Sequence, residues 1–419
     1  MALPADSLAF ALLVAAEILA RVDGGESLSE AISVLGDTPE ACRAEAREIA
    51  YGSLRAYGRS EYFLQRLLHR PLPDRQVEAL LRAALYRLDT EPATAYVVVD
   101  QAVEAVAALA GAFRGLANAV LRNFVRQRNA LTAALDGDEV VRSQHPRWWL
   151  ARLRRAYPER WQEIVAAGNS RPPMTLRINR RRVVLAAYLE RLQAAGYPAR
   201  QVGPDALLLA TPVPVALLPG FADGDVSVQD AGAQRAAAIL APCAGERVLD
   251  CCAAPGGKTA HLLEVADIEL LAVDIDPARA ALVRNNLDRL GLSAAVVVDD
   301  CRTPERWWDR RPFDVILADV PCSASGVVRR FPDVKYLRRE SDIRRFARQQ
   351  AGILDRLWPI LRPGGRLLYA TCSLFPEEND AQIDAFVVRQ HDVIRGFEER
   401  LLPGAEHDGF FYALLHKAV

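Results

Sequence analysis

The stretch Phe313-Asp314-Val315-Ile316-Leu317-Ala318-Asp319-Val320-Pro321-Cys322-Ser323 reads as a short apolar strand that delivers an acid, a proline and a thiol at its carboxyl tip. In an open α/β sheet that edge is where ligands bind. A second thiol stands in Tyr369-Ala370-Thr371-Cys372-Ser373, at the tip of another strand-like run. Neighbouring parallel strands end on the same edge, so Cys322 and Cys372 should face one pocket. A lone cysteine at a strand end is usually a small buried apolar residue. Two of them, each followed by serine and one preceded by Asp-Val-Pro, point to chemistry. Carbon C5 of a pyrimidine cannot take a methyl group unaided. A thiolate adding to C6 makes an enamine whose C5 can attack an S-methyl sulfonium. A carboxyl group near N3 assists as charge builds on the ring, and a base then removes the C5 proton so that the thiol can leave. Methylation of an exocyclic amine would instead call for an aromatic ring after the proline, where Cys322 stands. Spacing alone does not say which cysteine attacks first.

The donor needs a cradle. Cys252-Ala253-Ala254-Pro255-Gly256-Gly257-Lys258 follows the strand-like Val248-Leu249-Asp250 and opens a helix. Small residues allow close approach to the backbone, and the helix N-terminus offers amides to an anion. The pattern is not G-x-G-x-x-G, which disfavours a nicotinamide dinucleotide. No glycine stands five residues before Gly257, so Gly-Gly-Lys-Thr does not complete a P-loop. Asp274 ends the second strand eighteen residues past Gly256, the usual station of an acid that accepts both ribose hydroxyls. Asp276-Pro277 has a different task, an N-cap with proline at the first helical position. Asp300 follows the third strand and Asp319 ends the fourth. Acids at successive strand ends suit an adenosyl cofactor that has no phosphates to repel them.

To hold these tips together the chain must build a parallel sheet, and from residue 246 its rhythm is strand–loop–helix. Strands are expected at 248–250, 269–273, 294–298, 314–318 and 366–370. Helices are expected at 258–265, 278–290 and about 342–361, the last stopped by Pro363-Gly364-Gly365. Repeated βαβ units mean a doubly wound parallel sheet. Residues 1–140 are helical in pattern, with Val77, Leu80, Leu81, Ala84, Leu85 and Leu88 on one face. Between the two, Arg147-Trp148-Trp149, Arg152, Arg154, Arg155, Tyr157 and Trp161 form a basic, aromatic segment. Strand-like runs near 174–179, 206–210 and 225–229 complete a small α+β module, with Arg180-Arg181-Arg182 leading its helix. Interleaved arginines and aromatics can stack bases and hold phosphates, or the tryptophans can simply be core.

At 419 residues the chain exceeds one ordinary core, and 51% apolar with 25% charged residues is globular. A net charge of −1 carries no global basic signature, so a polyanion would have to be met by local patches. Of 52 basic residues only Lys258, Lys335 and Lys417 are lysines. Lysines that survive such a bias mark places where a compact ammonium is needed, although chance suffices for Lys417. The seven cysteines are odd in number and include no C-x-x-C pair, which supports neither a disulfide framework nor a zinc site. A reducing cytoplasm is the expected home. The apolar run 8–16 is preceded by Asp6 and ended by Glu17, as in a core helix rather than a membrane span.

These residues resemble a family. The 252–258 loop, Asp274, Asp300, Phe313 to Cys322-Ser323-Ala324-Ser325-Gly326, Arg329-Arg330-Phe331-Pro332-Asp333, Thr371-Cys372-Ser373 and Pro376-Glu377-Glu378-Asn379 are similar to the NOL1/NOP2/Sun group of RNA cytosine-5 methyltransferases. Leu402-Pro403-Gly404-Ala405 and Asp408-Gly409-Phe410-Phe411-Tyr412-Ala413 extend the likeness. It is weaker in the helical leader, where 81–88 and 117–122 resemble a NusB-type domain. The resemblance implies an α/β fold, a Rossmann-like doubly wound S-adenosylmethionine-dependent methyltransferase sheet over 236–419 with its last strand antiparallel. A small α+β RNA-binding module over 145–235 and an all-α NusB-like RNA-binding domain over 1–140 would precede it. It further implies Cys372 as nucleophile, Cys322 as the group that helps release product, and Asp319 between cofactor and cytosine. Cys252, Ala253, Ala254, Pro255, Gly256, Gly257, Lys258, Asp274, Asp300 and Asp319 would bind S-adenosyl-L-methionine. Lys258 is expected to orient acids or backbone around the nucleophile. The substrate would be a cytosine of 16S small-subunit rRNA, C967, with no membrane and no second copy of the chain as partner. Two other readings remain: an RNA-binding assembly or antitermination factor that keeps the sheet as a platform, and a cytosine-5 methyltransferase of tRNA.

Overall fold

The computed structural model describes residues 3–419. The chain forms two compact units, one made of the residues through Ser170 together with Val328–Arg338, the other of Arg171–Val327 and Arg339–Val419.

The first unit is all helical. Helix Arg75–Thr90 shows why: Asp74 caps it by accepting from Gln76 N and Val77 N, and the six residues of the expected apolar face are all buried. That face packs on helix Leu8–Asp23, which is capped by Ser7, and on the helical pair Ala95–Ala110 and Arg114–Ala133. The pair lies within Pro92–Gly137, the one stretch among the described residues long and apolar enough to cross a membrane. A 3₁₀ turn at Gly111–Phe113 breaks it into two packed helices. Val328–Arg338 is bound into this unit by polar contacts. Asp333 accepts from Leu28 N at 3.0 Å, and the buried Lys335 donates to Arg55 O at 3.0 Å and Asn169 Oδ1 at 2.6 Å. Burial holds the Lys335 amine well below the usual lysine range.

The basic, aromatic segment also belongs here, as helices Arg147–Ala156 and Trp161–Asn169. Trp149 is core, and Arg154 lies over the Trp161 ring while pairing with Glu139. The compact units therefore divide the chain differently from the expected 1–140, 145–235 and 236–419. Residues 147–169 group with the helices, and the remainder of the module groups with the large sheet.

The second unit opens with a four-stranded antiparallel sheet: β1 (Thr175–Ile178), β2 (Ala199–Gln201), β3 (Ala206–Leu209) and β4 (Val226–Val228), in the order β2-β3-β1-β4. Seven further strands follow: β5 (Arg247–Cys251), β6 (Glu269–Asp274), β7 (Ala295–Val298), β8 (Phe313–Asp319), β9 (Leu361–Thr371), β10 (Val393–Leu401) and β11 (Phe410–Lys417). Their order is β10-β11-β9-β8-β5-β6-β7. Strands β5 to β9 pair in parallel, and β11 runs antiparallel between β9 and β10. Alternating residues feed separate apolar layers on the two faces: Val248, Val315 and Leu317 one, Leu249, Ile316 and Ala318 the other. The strand order, with parallel strands and an antiparallel β11 inserted beside β9, is that of the expected Rossmann-like doubly wound sheet.

One expected boundary moves. The helix expected to reach residue 361 is Glu340–Leu357, followed by the 3₁₀ turn Trp358–Ile360. Pro359 has no N–H to continue the helix, so the chain turns there. Pro363-Gly364-Gly365 lies inside β9, where the register against β8 shifts between Phe313 and Val315 and Gly364 adopts φ +70°. It bulges a strand instead of stopping a helix.

Candidate active site

Strand β8 ends at Asp319, beside Ala370 of β9. Val320 N donates to Ala370 O at 3.1 Å, so the two tips advance in register and turn out together. Their thiols meet, with Cys322 Sγ and Cys372 Sγ 3.4 Å apart. The loops behind them are zipped. Gly326 N donates to Cys372 O at 2.8 Å, and Gly409 N donates to Gly326 O at 2.9 Å. A Cβ on Gly326 would lie 2.5 Å from Gly409 O and 2.9 Å from Cys372 O, so only glycine fits this crossing. Ala324, two residues past Cys322, is held at φ +61°, a strained conformation of the kind that collects at functional sites.

Both loops rest on one acid whose role the sequence did not disclose. Glu378 Oε1 accepts from Ser323 N at 2.8 Å and Gln350 Nε2 at 3.1 Å, while Oε2 accepts from Ser373 Oγ at 2.5 Å. Ser323 and Ser373 each follow a cysteine, so a single buried carboxyl sets the spacing of the pair. Burial pushes its pKa up, against the pull of those donors. Asn379 adds to the brace, accepting from Thr371 Oγ1 and donating to Ser373 O. In the sequence these two residues stood only as part of the Pro376-Glu377-Glu378-Asn379 motif, with no role attached.

Lys258 Nζ lies 2.6 Å from Asp319 Oδ2 and over the Phe410 ring at 5.8 Å. Burial works against its ammonium, but the Asp319 carboxylate outweighs that cost and its pKa rises above the ordinary lysine value. The mutual hydrogen bond with Cys372, then burial, push the Cys322 thiol well above its usual value, so Cys322 keeps its proton. The two sulfurs are close enough for either to donate to the other.

Of the expected cradle residues, Cys252, Asp274 and Asp300 line one cleft, with Asp299, Arg302 and Pro321 also on its walls. Ala253, Ala254, Pro255, Gly256, Gly257, Lys258 and Asp319 do not line it. Asp274 is fixed by backbone donors, Ala254 N to Oδ2 at 3.0 Å and Asp276 N to Oδ1 at 3.1 Å. Asp300 is less free than expected, since Arg302 straddles its carboxylate and lowers its pKa. The loop backbone bends sharply, with Cys252 at φ +60° and Gly256 at φ +94°, where a Cβ would press on Val283 at 3.1 Å. Arg177 of β1 supports the same loop from behind. Its Nη1 donates to Gly257 O at 2.6 Å, and the rest of the guanidinium forks onto Glu264 at 2.7 and 2.8 Å. An acid-walled cleft with a tight backbone cradle fits an adenosyl group bearing a sulfonium.

Asp250, beneath the loop, receives Thr259 Oγ1 at 2.6 Å on Oδ2, while its buried Oδ1 has no protein donor. Burial pushes its pKa from 3.8 to about 7. A carboxyl that holds its proton more tightly when folded stabilises the protein at low pH and loses that contribution as pH rises through the folded value. The loss spans about pH 4 to 7 and amounts to roughly 4 kcal/mol. Asp250→Asn should therefore gain on the parent as pH rises. The difference in urea midpoint between variant and parent should widen from pH 4 to pH 8, and a constant difference would show that this carboxyl does not titrate there.

Three family profiles cover the chain in order: the NusB family over residues 8–126, a ferredoxin-like domain of RsmF/B-type methyltransferases over 145–216, and 16S rRNA methyltransferase RsmB/F over 237–416. Ribosomal RNA small subunit methyltransferase B of Vibrio cholerae is 46% identical, covering 94% of each chain. Its namesake of Salmonella arizonae is 45% identical, covering 94% of this chain and 96% of its own. A solved structure named PH0851 superposes over the full length of both chains with a TM-score of 0.80 at 22% identity, a likeness of fold. Fold, site geometry and end-to-end kinship agree, and the chain belongs to the ribosomal RNA small subunit methyltransferase B family.

Proposed function

We propose that this protein methylates C5 of a cytosine in 16S rRNA, the base being C967, with S-adenosyl-L-methionine as donor. The observation that carries the reading is the pair of thiols 3.4 Å apart beside the Lys258–Asp319 pair. When bound, the cofactor supplies an electrophilic methyl group. Cys372 Sγ, 3.4 Å from Cys322 Sγ, attacks C6 of the base as a thiolate. Asp319 lies at the junction of cradle and thiols, where its carboxyl meets the ring as charge develops, and Lys258 holds that carboxyl in place. Once C5 carries the methyl group, a base removes the C5 proton, its electron pair re-forms the C5–C6 double bond, and the C6–S bond breaks with its electrons returning to Cys372 Sγ. The Cys322 thiol helps this release by hydrogen-bonding the departing sulfur. A base stacked in a duplex hides C6, so the target is taken unpaired or flipped out.

Incubation with unmodified 16S rRNA and methyl-labelled cofactor should place the label on C5 of one cytosine. Label on no cytosine, or only on tRNA, would sink the proposal. Lys258→Arg should lower kcat at least about tenfold, because a planar fork cannot make the single-point contact that a compact ammonium makes to Asp319. Full turnover of that variant would remove Lys258 from the mechanism.

A further inference from the structure

The nearly neutral chain must meet a polyanion through a local patch, and the obvious candidates are spent. Arg180 pairs with Asp205 and Arg181 with Asp267, while Arg182 donates to Asp223 O and Leu290 O. In the helical unit Arg59, Arg82, Arg87 and Arg154 all carry acid partners. Helix Arg114–Ala133 is different. It holds four arginines and no acidic residue over 20 residues. Its inner face is core, with Ala117, Val120, Leu121, Phe124 and Leu131 buried.

Arg114, Arg122 and Arg126 of this helix line a groove of about 810 Å³ against helix Ala95–Ala110. None of the three makes an ion pair among the described residues, and all are exposed. At 1.5 Å per residue the row runs about 18 Å. Across the groove Tyr96 is 84% exposed, and Val99 and Val103 form an apolar floor. Asp100 is the one acid on the wall. A row of unpaired guanidiniums beside a free aromatic ring is the composition that holds single-stranded nucleic acid, phosphates on the arginines and a base on the ring.

We infer that this groove binds an unpaired segment of the substrate rRNA away from the reacting base, a proposal that rests on the reading of the chain as an rRNA methyltransferase. The full-length Arg122→Ala/Arg126→Ala variant is compared with the parent on an unmodified 16S rRNA fragment. KM for RNA should rise about tenfold or more, with kcat at saturating RNA and affinity for S-adenosylhomocysteine unchanged. The slope of log affinity against log salt should flatten by about 1.4, the loss expected for two phosphate contacts on a single strand. Tyr96→Ala should weaken binding without changing that slope. If the parent methylates the RNA and both variants keep its KM and salt slope, the groove is not an RNA site. Binding of anionic phospholipid vesicles by the parent, abolished in the arginine variant while RNA affinity is retained, would also overturn it. A parent that fails to methylate the RNA refutes the activity and leaves the binding comparison to judge the groove.

Discussion

Cys322→Ala should accumulate a covalent protein–RNA adduct, and Cys372→Ala should form none. With Cys372 intact, attack on C6 proceeds. Without the neighbouring thiol to donate to the departing sulfur, release of Cys372 is slow and the bond to RNA persists. Assisted proton transfer is worth about 10² to 10⁴ in rate, so turnover of Cys322→Ala should fall by that range while a shifted band appears on a denaturing gel. Cys372→Ala should lose both band and turnover. The assignment of roles follows the resemblance to the RNA cytosine-5 methyltransferases, and the contact of the two sulfurs at 3.4 Å lets one thiol act on an adduct of the other. An adduct with Cys372→Ala and none with Cys322→Ala would exchange the roles. Adducts with neither, on RNA that the parent methylates, would remove covalent catalysis altogether.

Arg177→Met should cost about 3 to 5 kcal/mol of stability, because it strands the Glu264 carboxylate in the interior. Both side chains are essentially excluded from solvent, at 0% and 1% exposure, and the fork between them is complete. Replacing both, as Arg177→Met/Glu264→Leu, should recover most of the loss, since an apolar pair of similar volume avoids the desolvation of two ions. What the double variant cannot restore is the donor to Gly257 O. It should fold, melt near the parent, and bind S-adenosylhomocysteine more weakly. Urea denaturation and calorimetric titration separate the two effects. A single variant within about 1 kcal/mol of the parent would show that the pair carries little of the structure.

Much of the site was legible because its chemistry-bearing residues sit at strand tips, where side-chain type and topology decide position together. Asp319, Cys322 and Cys372 could be placed on one edge from the strand pattern, and their meeting follows from the pairing of β8 with β9. Lys258 stood out against the arginine bias as a residue to orient acids or backbone, and it pairs with Asp319. Glu378 escaped because its partners, Ser323 N and Ser373 Oγ, come from two separate loops. Arg177 escaped for the opposite reason. In Thr175-Leu176-Arg177-Ile178 it occupies the alternate position that should face water, yet helix Gly257–Val265 covers that face. The move of a helix end from residue 361 to Leu357 turned on Pro359, hidden beside the louder Pro363-Gly364-Gly365.

The membership of Val328–Arg338 in the helical unit has a bearing on synthesis. Translation delivers about 5 to 20 residues per second, so the helices through Ser170 emerge roughly ten to thirty seconds before the stretch that completes them. During that interval Leu28 N has no Asp333, and Arg55 O and Asn169 have no Lys335. The nascent chain therefore carries an open seat in its first-made half, filled only by a passage that begins six residues past Cys322. A ribosome that stalls in the second half leaves the first half unfinished too.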